Sequence, residues 1–112
     1  HLTIWGTGMP RREFLYVDDL ADGLVFLMKH YSNAQQVNVG TGKDVSILEL
    51  AELVCATVGF KGDIIRDKTK PDGTPRKLLN VDSLKKLGWE AHTTLVDGLK
   101  STYDWYAASV AA

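Results

Sequence analysis

The stretch from Trp5 to Asp19 places an aromatic ring, a glycine-bent loop and two arginines directly before a strand-to-helix junction. Arg12 is the better ligand candidate of the arginine pair, because a planar guanidinium can donate to two phosphate oxygens at once. Trp5 follows a strand-like run and could offer a flat indole face to a base or a sugar. These residue types indicate binding of an anion. The alternatives are a core position for Trp5 and a solvated surface pair for Arg11 and Arg12.

A second polar loop, residues 68–77, combines charged side chains with turn-forming residues. Pro71 presets the first corner of a β-turn, Gly73 suits its last position, and Pro75 holds the residue before it extended. Such a stiff loop has little conformational entropy left to lose on binding. Its charged residues are Lys70, Asp72, Arg76 and Lys77. Three cations around one carboxylate suit an anionic ligand with hydroxyl groups, and the alternative for Asp72 is a hydrogen bond to its own turn.

The sequence lacks the common catalytic and nucleotide-binding motifs. Gly40-Thr41-Gly42-Lys43 is not a phosphate loop, because Asp44 stands where that motif needs Ser or Thr. No dinucleotide fingerprint, no Gly-x-Ser-x-Gly elbow and no Tyr-x-x-x-Lys pair occurs. The three histidines are scattered and suggest neither a zinc site nor a pair with a cysteine. We therefore expect no catalytic, cofactor-binding or metal-binding residue on this chain.

Hydrophobic patterns predict the elements that position the two loops. Strand composition occurs at residues 2–5, 14–17, 37–39 and 63–66. Asp18 is the expected N-cap of a helix that runs to about Tyr31. One face of this helix is apolar and consists of Leu20, Leu24, Leu27, Met28 and Tyr31.

Ser46 and Glu49 have the spacing of a capping box, and the helix that they start is expected to end at Gly59. Further along the chain, a short helix is expected to be capped by Asn80 or Asp82 and to end at a Leu-Gly-Trp sequence.

Thr93 or Thr94 is expected to open a last helix, whose alanine-rich end from Ala107 is expected to fray. Short strands that alternate with about four helices call for an α/β or α+β arrangement. The sequence thus predicts one mixed α/β domain over residues 1–112.

Composition excludes several classes of function. The 112 residues, 45% of them apolar, fit one small globular domain. A formal net charge of −1 argues against general binding to nucleic acid or to anionic membranes, since both need a positive excess. Cys55 is the single cysteine, which predicts a buried structural thiol, no internal disulfide and a cytoplasmic location. No apolar run is long enough for a membrane span. A start at His1, one residue before a strand pattern, is typical of a fragment or a processed product.

Four motifs together resemble the C-terminal part of GDP-L-fucose synthase, a family of the extended short-chain dehydrogenase/reductases. They are Trp-Gly-Thr-Gly-Met-Pro-Arg-Arg-Glu-Phe-Leu-Tyr-Val-Asp-Asp-Leu-Ala, Val-Asn-Val-Gly-Thr-Gly, Lys-Pro-Asp-Gly-Thr-Pro-Arg-Lys-Leu-Leu, and Leu-Gly-Trp with Thr-Tyr-Asp-Trp. Within the first motif, Arg-Glu-Phe-Leu-Tyr-Val-Asp-Asp alone would indicate only the wider superfamily of nucleotide-sugar epimerases and dehydratases. The third motif narrows the resemblance to GDP-L-fucose synthase. The resemblance covers the chain from Trp5 to about Tyr106.

The resemblance implies an NADP-dependent enzyme that converts GDP-4-keto-6-deoxy-D-mannose to GDP-L-fucose by 3,5-epimerisation and 4-reduction. It implies that this chain is a small substrate-binding domain that contacts the GDP-sugar through Trp5, Arg12, Asp72 and Lys77. The NADP-binding Rossmann domain, with the catalytic residues, is expected to be absent from this chain, which would be inactive alone. The full-length protein is expected to be a cytoplasmic homodimer.

The resemblance also implies that the helix after Asp18 and the strand at residues 37–39 pack back toward the nucleotide domain. Exposed apolar surface is therefore expected there. Two other functions remain open from the sequence. One is a sister enzyme that acts on another nucleotide sugar, such as a 4,6-dehydratase or a 4-epimerase. The other is a non-catalytic module that binds a nucleotide sugar or serves in assembly.

Overall fold

A computed structural model describes residues 1–111 and contains four helices and five short strands, which confirms the mixed α/β class. The strands are β1 (Leu2–Trp5), β2 (Arg11–Glu13), β3 (Asp44–Ser46), β4 (Ile64–Asp67) and β5 (Arg76–Lys77). The helices are α1 (Val17–His30), α2 (Ile47–Val58), α3 (Asp82–Leu87) and α4 (Leu95–Ala111). None of these helices, which cover only the described residues, is long and apolar enough to cross a membrane.

The strands form two small sheets. β1 pairs in parallel with β4, and the predictions for these two strands hold to within one residue. The other sheet has the order β3-β2-β5, with β3 antiparallel and β5 parallel to the central β2. The carboxyl end of β1 and the amino end of β2 are joined by the glycine-bent loop, so both sheets meet the first candidate loop.

Two strand predictions were wrong. The strand expected at residues 14–17 lies instead at Arg11–Glu13, because that polar segment has pairing partners on both sides. Residues 37–39 form no strand, and the antiparallel edge is taken by Asp44–Ser46. Strand pairing depends on distant partners, which a local apolar pattern does not report.

The caps of the later helices follow the sequence closely. Ser46 and Glu49 form the predicted capping box. The Ser46 hydroxyl accepts a hydrogen bond from the Glu49 amide at 3.0 Å, and the Glu49 carboxylate accepts one from the Ser46 amide at 2.7 Å. Gly59 ends α2 in the left-handed region with φ of 76°. Thr94 accepts the Asp97 amide through its hydroxyl at 3.1 Å and so caps α4. The end of α4 stays helical through residue 111, against the expected fraying.

The start of α1 differs from the prediction. The N-cap position is Tyr16, which makes no side-chain cap, and Asp18 lies inside the first turn together with Asp19. Both carboxylates still lie near the positive end of the helix dipole. In α3, the N-cap position is Val81, and the Asn80 side chain accepts the Asp82 amide at 2.9 Å.

Much of the predicted apolar face of α1 is exposed within this chain, in agreement with the exposed apolar surface expected at this helix. Leu24 is 50% exposed and Met28 is 84% exposed. The buried positions of α1 are instead Asp19 and Gly23. Gly23 lies under the Trp89 indole, where a Cβ atom would come within 3.0 Å of Cζ2. The helix therefore turns a polar, small-residue side toward its own domain.

The chain as a whole is thin. Its smallest dimension is 17 Å and its radius of gyration is 16.7 Å, against about 13 Å for a compact domain of this length. Few apolar side chains are fully covered among the described residues, namely Ala51, Val81, Leu84 and Trp89. Cys55 is a half-buried free thiol rather than the fully buried one expected. One thin layer of helices and strands thus carries the candidate loops.

A buried carboxylate joins α1 to the segment before α4. Asp19 is 1% exposed and accepts the Thr93 amide at 2.8 Å and the Thr93 hydroxyl at 2.9 Å. His92 Nε2 lies 3.1 Å from the same carboxylate. Burial alone would raise the pKa of Asp19, but the Thr93 hydrogen bonds and the nearby His92 outweigh it and hold the pKa below its ordinary value. The ionised form is therefore the one that the fold stabilises.

We expect Asp19→Asn to lower the free energy of unfolding at pH 7 by about 1–3 kcal/mol, the scale for disrupting a buried hydrogen-bonded group. Because the folded-state pKa is depressed, this contribution is present above about pH 4 and is lost as pH falls further. The difference between the two proteins should then shrink by pH 3, as measured by urea unfolding followed by circular dichroism. Asp104→Asn, in an exposed pair with Lys100, is the control and should change little. An equal difference at both pH values would contradict the assignment.

Candidate functional site

The structure joins the two candidate loops through one carboxylate. Asp72 accepts the Thr7 amide and the Thr7 hydroxyl, both at 2.8 Å. Gly6 makes this approach possible: its φ of +79° is left-handed, and a Cβ atom there would overlap Asp72 Oδ1. The amide hydrogen bond from Thr7, followed by the hydroxyl bond, lowers the pKa of Asp72. The alternative of a bond from Asp72 to its own turn is not what the described residues show, since both oxygens reach across to the other loop.

Trp5 lies at the carboxyl end of β1 with 69% of its surface exposed. The ring therefore does not lie in the core of this chain. Lys70 Nζ, from the second loop, lies 5.1 Å from the ring centroid, within the range of a cation–π contact. The indole thus presents a large flat surface beside a positive charge, at the point where the two loops meet.

Arg12 and Lys77 are neighbours across the parallel β2–β5 pair, in direct register. Arg12 Nη1 donates to the Arg11 carbonyl at 2.7 Å and to the Thr74 carbonyl at 2.6 Å. Its Nε and Nη2 groups make no hydrogen bond to the described residues. Arg12 Nη2 lies so close to Gly73 that a Cβ atom there would be 3.1 Å away. Hydrogen bonds from Nη1 therefore fix the guanidinium, while Nε and Nη2 stay available to a ligand.

The four residues predicted from the sequence consequently lie along one connected strip. Trp5 and Asp72 belong to the joined loops, and Arg12 holds the second loop through Gly73 and Thr74. Lys77 extends the strip on the adjacent strand. Neither Arg12 nor Lys77 has a carboxylate partner among the described residues. The strip is therefore a local cationic surface on a chain with a net charge of −1.

Two carboxylates that sequence reasoning did not single out hold this strip together. Asp44 accepts Arg11 Nε at 3.0 Å and Arg76 Nε at 2.6 Å, and its side chain is only 5% exposed. The hydrogen bond from Arg76 holds the pKa of Asp44 below its ordinary value, with burial opposing and Arg11 assisting. The available signal was charge complementarity between Asp44 and the flanking arginines. Arg11 is accordingly a paired residue, not one of a solvated pair.

Glu13 is the second of these carboxylates. It accepts the Gly42 amide at 2.6 Å, the Thr41 hydroxyl at 3.2 Å and the Leu79 amide at 3.2 Å. Gly40 passes so close that a Cβ atom would lie 2.6 Å from Glu13 Oε2. The Gly-Thr-Gly loop therefore wraps around an anion, but the anion is a side chain of the protein itself. The glycines of this segment therefore serve the close approach to Glu13, and Asp44 stands after Lys43 where a phosphate loop has Ser or Thr.

No group of three or more His, Cys, Asp or Glu residues within residues 1–111 could hold a metal ion. The groups on the strip are the cations Arg12 and Lys77, the aromatic face of Trp5, and the Asp72 carboxylate, whose two oxygens are occupied by Thr7. They can bind and orient an anionic ligand.

Comparison with known proteins identifies similar sequences. The sequence model of the NAD dependent epimerase/dehydratase family matches residues 1–40. A GDP-L-fucose synthase of Sinorhizobium fredii is 53% identical over 98% of this chain, and a putative GDP-L-fucose synthase 2 of Arabidopsis thaliana is 57% identical over 97%. The Escherichia coli GDP-L-fucose synthase is 46% identical over 94%. The chain is thus similar to GDP-L-fucose synthases over nearly its whole length. It spans about a third of the length of these relatives, 35%, 33% and 36% respectively.

Several solved structures are also similar to this chain. A GDP-mannoheptose C4 reductase from Campylobacter jejuni with NADP bound is 39% identical with a TM-score of 0.81, over 94% of this chain and 34% of that one. A GDP-6-OMe-4-keto-L-xylo-heptose reductase from the same species is 37% identical with a TM-score of 0.88, over 96% of this chain and 34% of that one. A GDP-L-fucose synthetase from Naegleria fowleri bound to NADP has a TM-score of 0.91 at 24% identity, over 98% of this chain and 35% of that one, and shows the fold alone.

The hydrogen bonds between Thr7 and Asp72 can be tested without any ligand. Thr7→Val removes the hydroxyl bond and keeps the amide bond, so the pKa of Asp72 should rise toward its ordinary value. Thr7→Ser keeps both donors and serves as the control. Carboxyl-carbon NMR titration of Asp72 measures the shift. Identical titration curves for the valine and serine variants would show that the hydroxyl does not act on Asp72.

Proposed function

We propose that this chain is the substrate-binding C-terminal part of an NADP-dependent GDP-L-fucose synthase. In that enzyme GDP-4-keto-6-deoxy-D-mannose is converted to GDP-L-fucose by 3,5-epimerisation followed by 4-reduction. The observation that carries the proposal is the in-register pair of Arg12 and Lys77 beside the joined Trp5 and Asp72 loops. This cationic, aromatic strip occurs in a chain that shares about half of its residues with curated GDP-L-fucose synthases.

Each residue of the strip has a role that its geometry supports. Arg12 donates Nε and Nη2 to diphosphate oxygens, which suits the fork shape of a guanidinium. Lys77 adds a second positive charge on the neighbouring strand. Trp5 offers its exposed face to the planar or apolar side of the ligand, and Asp72 sets the loop that borders it. Together they bind and orient the GDP-sugar, while the reacting groups lie elsewhere in the full-length protein.

NADP, which supplies the hydride for reduction, does not fit the residues of this chain. The glycine-rich segment at residues 40–42 is the best phosphate-binding candidate, and its Gly42 amide donates to Glu13. A phosphate at this place would meet a carboxylate. We therefore assign NADP to a preceding Rossmann domain that also carries the epimerisation and reduction residues. The chain alone is inactive under this proposal.

The shape of the chain supports a missing partner domain. A layer 17 Å thick leaves one side of its helices uncovered. The α1 stripe of Val17, Leu20, Leu24 and Met28 is exposed along the whole helix at helical spacing. Exposed contiguous apolar stripes mark interfaces. We assign this stripe to the contact with the Rossmann domain, in a cytoplasmic protein that is a homodimer when full length.

The full-length protein that carries this chain tests the proposed function. Isothermal titration should show binding of GDP, and NADPH oxidation should require GDP-4-keto-6-deoxy-D-mannose. A second candidate is another GDP-sugar reductase, favoured by the 36% identity to a GDP-L-colitose synthase of Yersinia pseudotuberculosis. A panel of GDP-4-keto sugars separates the two by kcat/KM. A preference for UDP- or dTDP-sugars, or no binding of GDP at all, would refute the proposal.

Arg12→Ala in the full-length protein should weaken GDP-sugar binding by about 1.5–3 kcal/mol, roughly 10- to 100-fold in KM. The reason is the loss of charge-assisted hydrogen bonds to phosphate. The KM for NADPH should stay the same, because Arg12 is assigned to the other ligand. Lys86→Ala on α3 removes the same charge from another exposed position and is the matched control. An unchanged KM for the GDP-sugar in Arg12→Ala would count against the assignment of Arg12.

The α1 stripe can be tested with this chain and the remainder of the protein produced as two fragments. Leu24→Asp should weaken their association at least about tenfold, since burial of a leucine side chain contributes roughly 1.5–3 kcal/mol. Asn33→Asp adds the same charge just beyond α1 and should leave the affinity unchanged. Equal dissociation constants for wild type and Leu24→Asp would place the contact on another face of the chain.

A further inference from the structure

Lys77 lies on a strand that is too short to hold itself in place. β5 contains two residues, both exposed, and it follows a loop with two prolines. Its backbone pairs only with β2, where the Arg11 amide donates to the Pro75 carbonyl at 2.8 Å. Isolated strand pairs of this size are not stable in water. Other interactions must therefore keep Lys77 in register with Arg12.

Asp44 supplies such an interaction from the far edge of the sheet. Arg11 and Arg76 are direct partners in the parallel β2–β5 pair, and Asp44 accepts a hydrogen bond from each. One carboxylate on β3 thus connects all three strands. Its side chain is almost completely covered, so solvent weakens these ion pairs less than exposed ones.

The alternation of side chains in strands separates this clamp from the binding strip. Successive residues point to opposite faces, so Arg11 and Arg76 share one face while Arg12 and Lys77 share the other. Asp44 therefore belongs to the face opposite the proposed ligand site. It touches the residue next to Lys77 in sequence and can act on the ligand only by setting the position of β5.

We propose that Asp44 is a positioning residue that holds Lys77 in register with Arg12, an inference that rests on the proposed binding of a GDP-sugar by this strip. Without the carboxylate, Arg11 and Arg76 are like charges directly opposite each other, an arrangement that destabilises strand pairing. β5 then separates from β2, and Lys77 moves away from Arg12 although its own side chain is unchanged. Glu13 holds only the far end of this segment, through the Leu79 amide.

The test uses Asp44→Asn in the full-length protein, which keeps the shape of the side chain and removes its charge. The KM for the GDP-sugar should rise about tenfold, the size of one weakened charge-assisted contact, while kcat and the KM for NADPH stay within about twofold. Hydrogen exchange of the peptide covering residues 74–79 should become faster in the absence of any ligand. Should Asp44→Asn not fold, Arg76→Gln releases the same clamp from its more exposed end.

Two comparisons separate positioning from general destabilisation. In a Lys77→Gln background, Asp44→Asn should cause no further rise in KM, because the residue through which it acts is already removed. Asp19→Asn disrupts a buried carboxylate that does not contact β5, so it should lower stability without changing exchange at residues 74–79 or the KM for the GDP-sugar. Additive effects with Lys77→Gln, or a KM change in Asp19→Asn equal to that in Asp44→Asn, would overturn the inference.

The ligand-free exchange measurement also distinguishes the two levels of the proposal. If wild-type protein binds no GDP, both the proposed function and the ligand role of Asp44 fail, even when exchange in β5 responds to Asp44→Asn. If GDP binds normally and exchange in residues 74–79 is the same in wild type and Asp44→Asn, the proposed function stands and the clamp is refuted.

Discussion

A carboxylate between two arginines is the interaction on which the three-stranded sheet depends. β2, β3 and β5 contain only three, three and two residues, so their ladders offer few backbone hydrogen bonds. Arg11 and Arg76 would repel each other across β2 and β5, and Asp44 turns that repulsion into a bond with both strands. The ion pairs between strands therefore compensate for the small number of backbone hydrogen bonds in this short sheet.

This arrangement gives the sheet two faces with different tasks. On the face that carries Asp44, the charges of Arg11 and Arg76 are paired with this carboxylate. The other face carries Arg12 and Lys77 with no carboxylate partner among the described residues. The second tie, between Asp72 and Thr7, brings the aromatic loop to the same edge and depends on the left-handed Gly6. The carboxylates Asp44 and Asp72 thus position the segments that carry Arg12 and Lys77, the two cations that stay available to a ligand.

Local signals in the sequence were enough for some elements and not for others. The capping box at Ser46, the glycine at the end of α2 and the threonine cap of α4 depend on neighbours within a few residues, and these predictions were confirmed. The position of β2 and the existence of β3 depend on pairing partners more than thirty residues away. The adjacency of Arg12 and Lys77 is equally non-local. The motifs identified these residues as candidates, but only the fold shows that they share one edge.

The exposed stripe of α1 shows a further limit of periodicity, since the pattern located an apolar face and did not say what covers it. Within this chain α1 buries Asp19 and Gly23, because Thr93 and Trp89 offer hydrogen bonds and a flat indole rather than an apolar groove. The leucines on the opposite side then need another surface to remove them from water. Both unmatched features, the apolar stripe and the cationic strip, have the same origin. Under the proposed function each is a half-site, which a Rossmann domain on α1 and an anionic GDP-sugar beside Arg12 would complete.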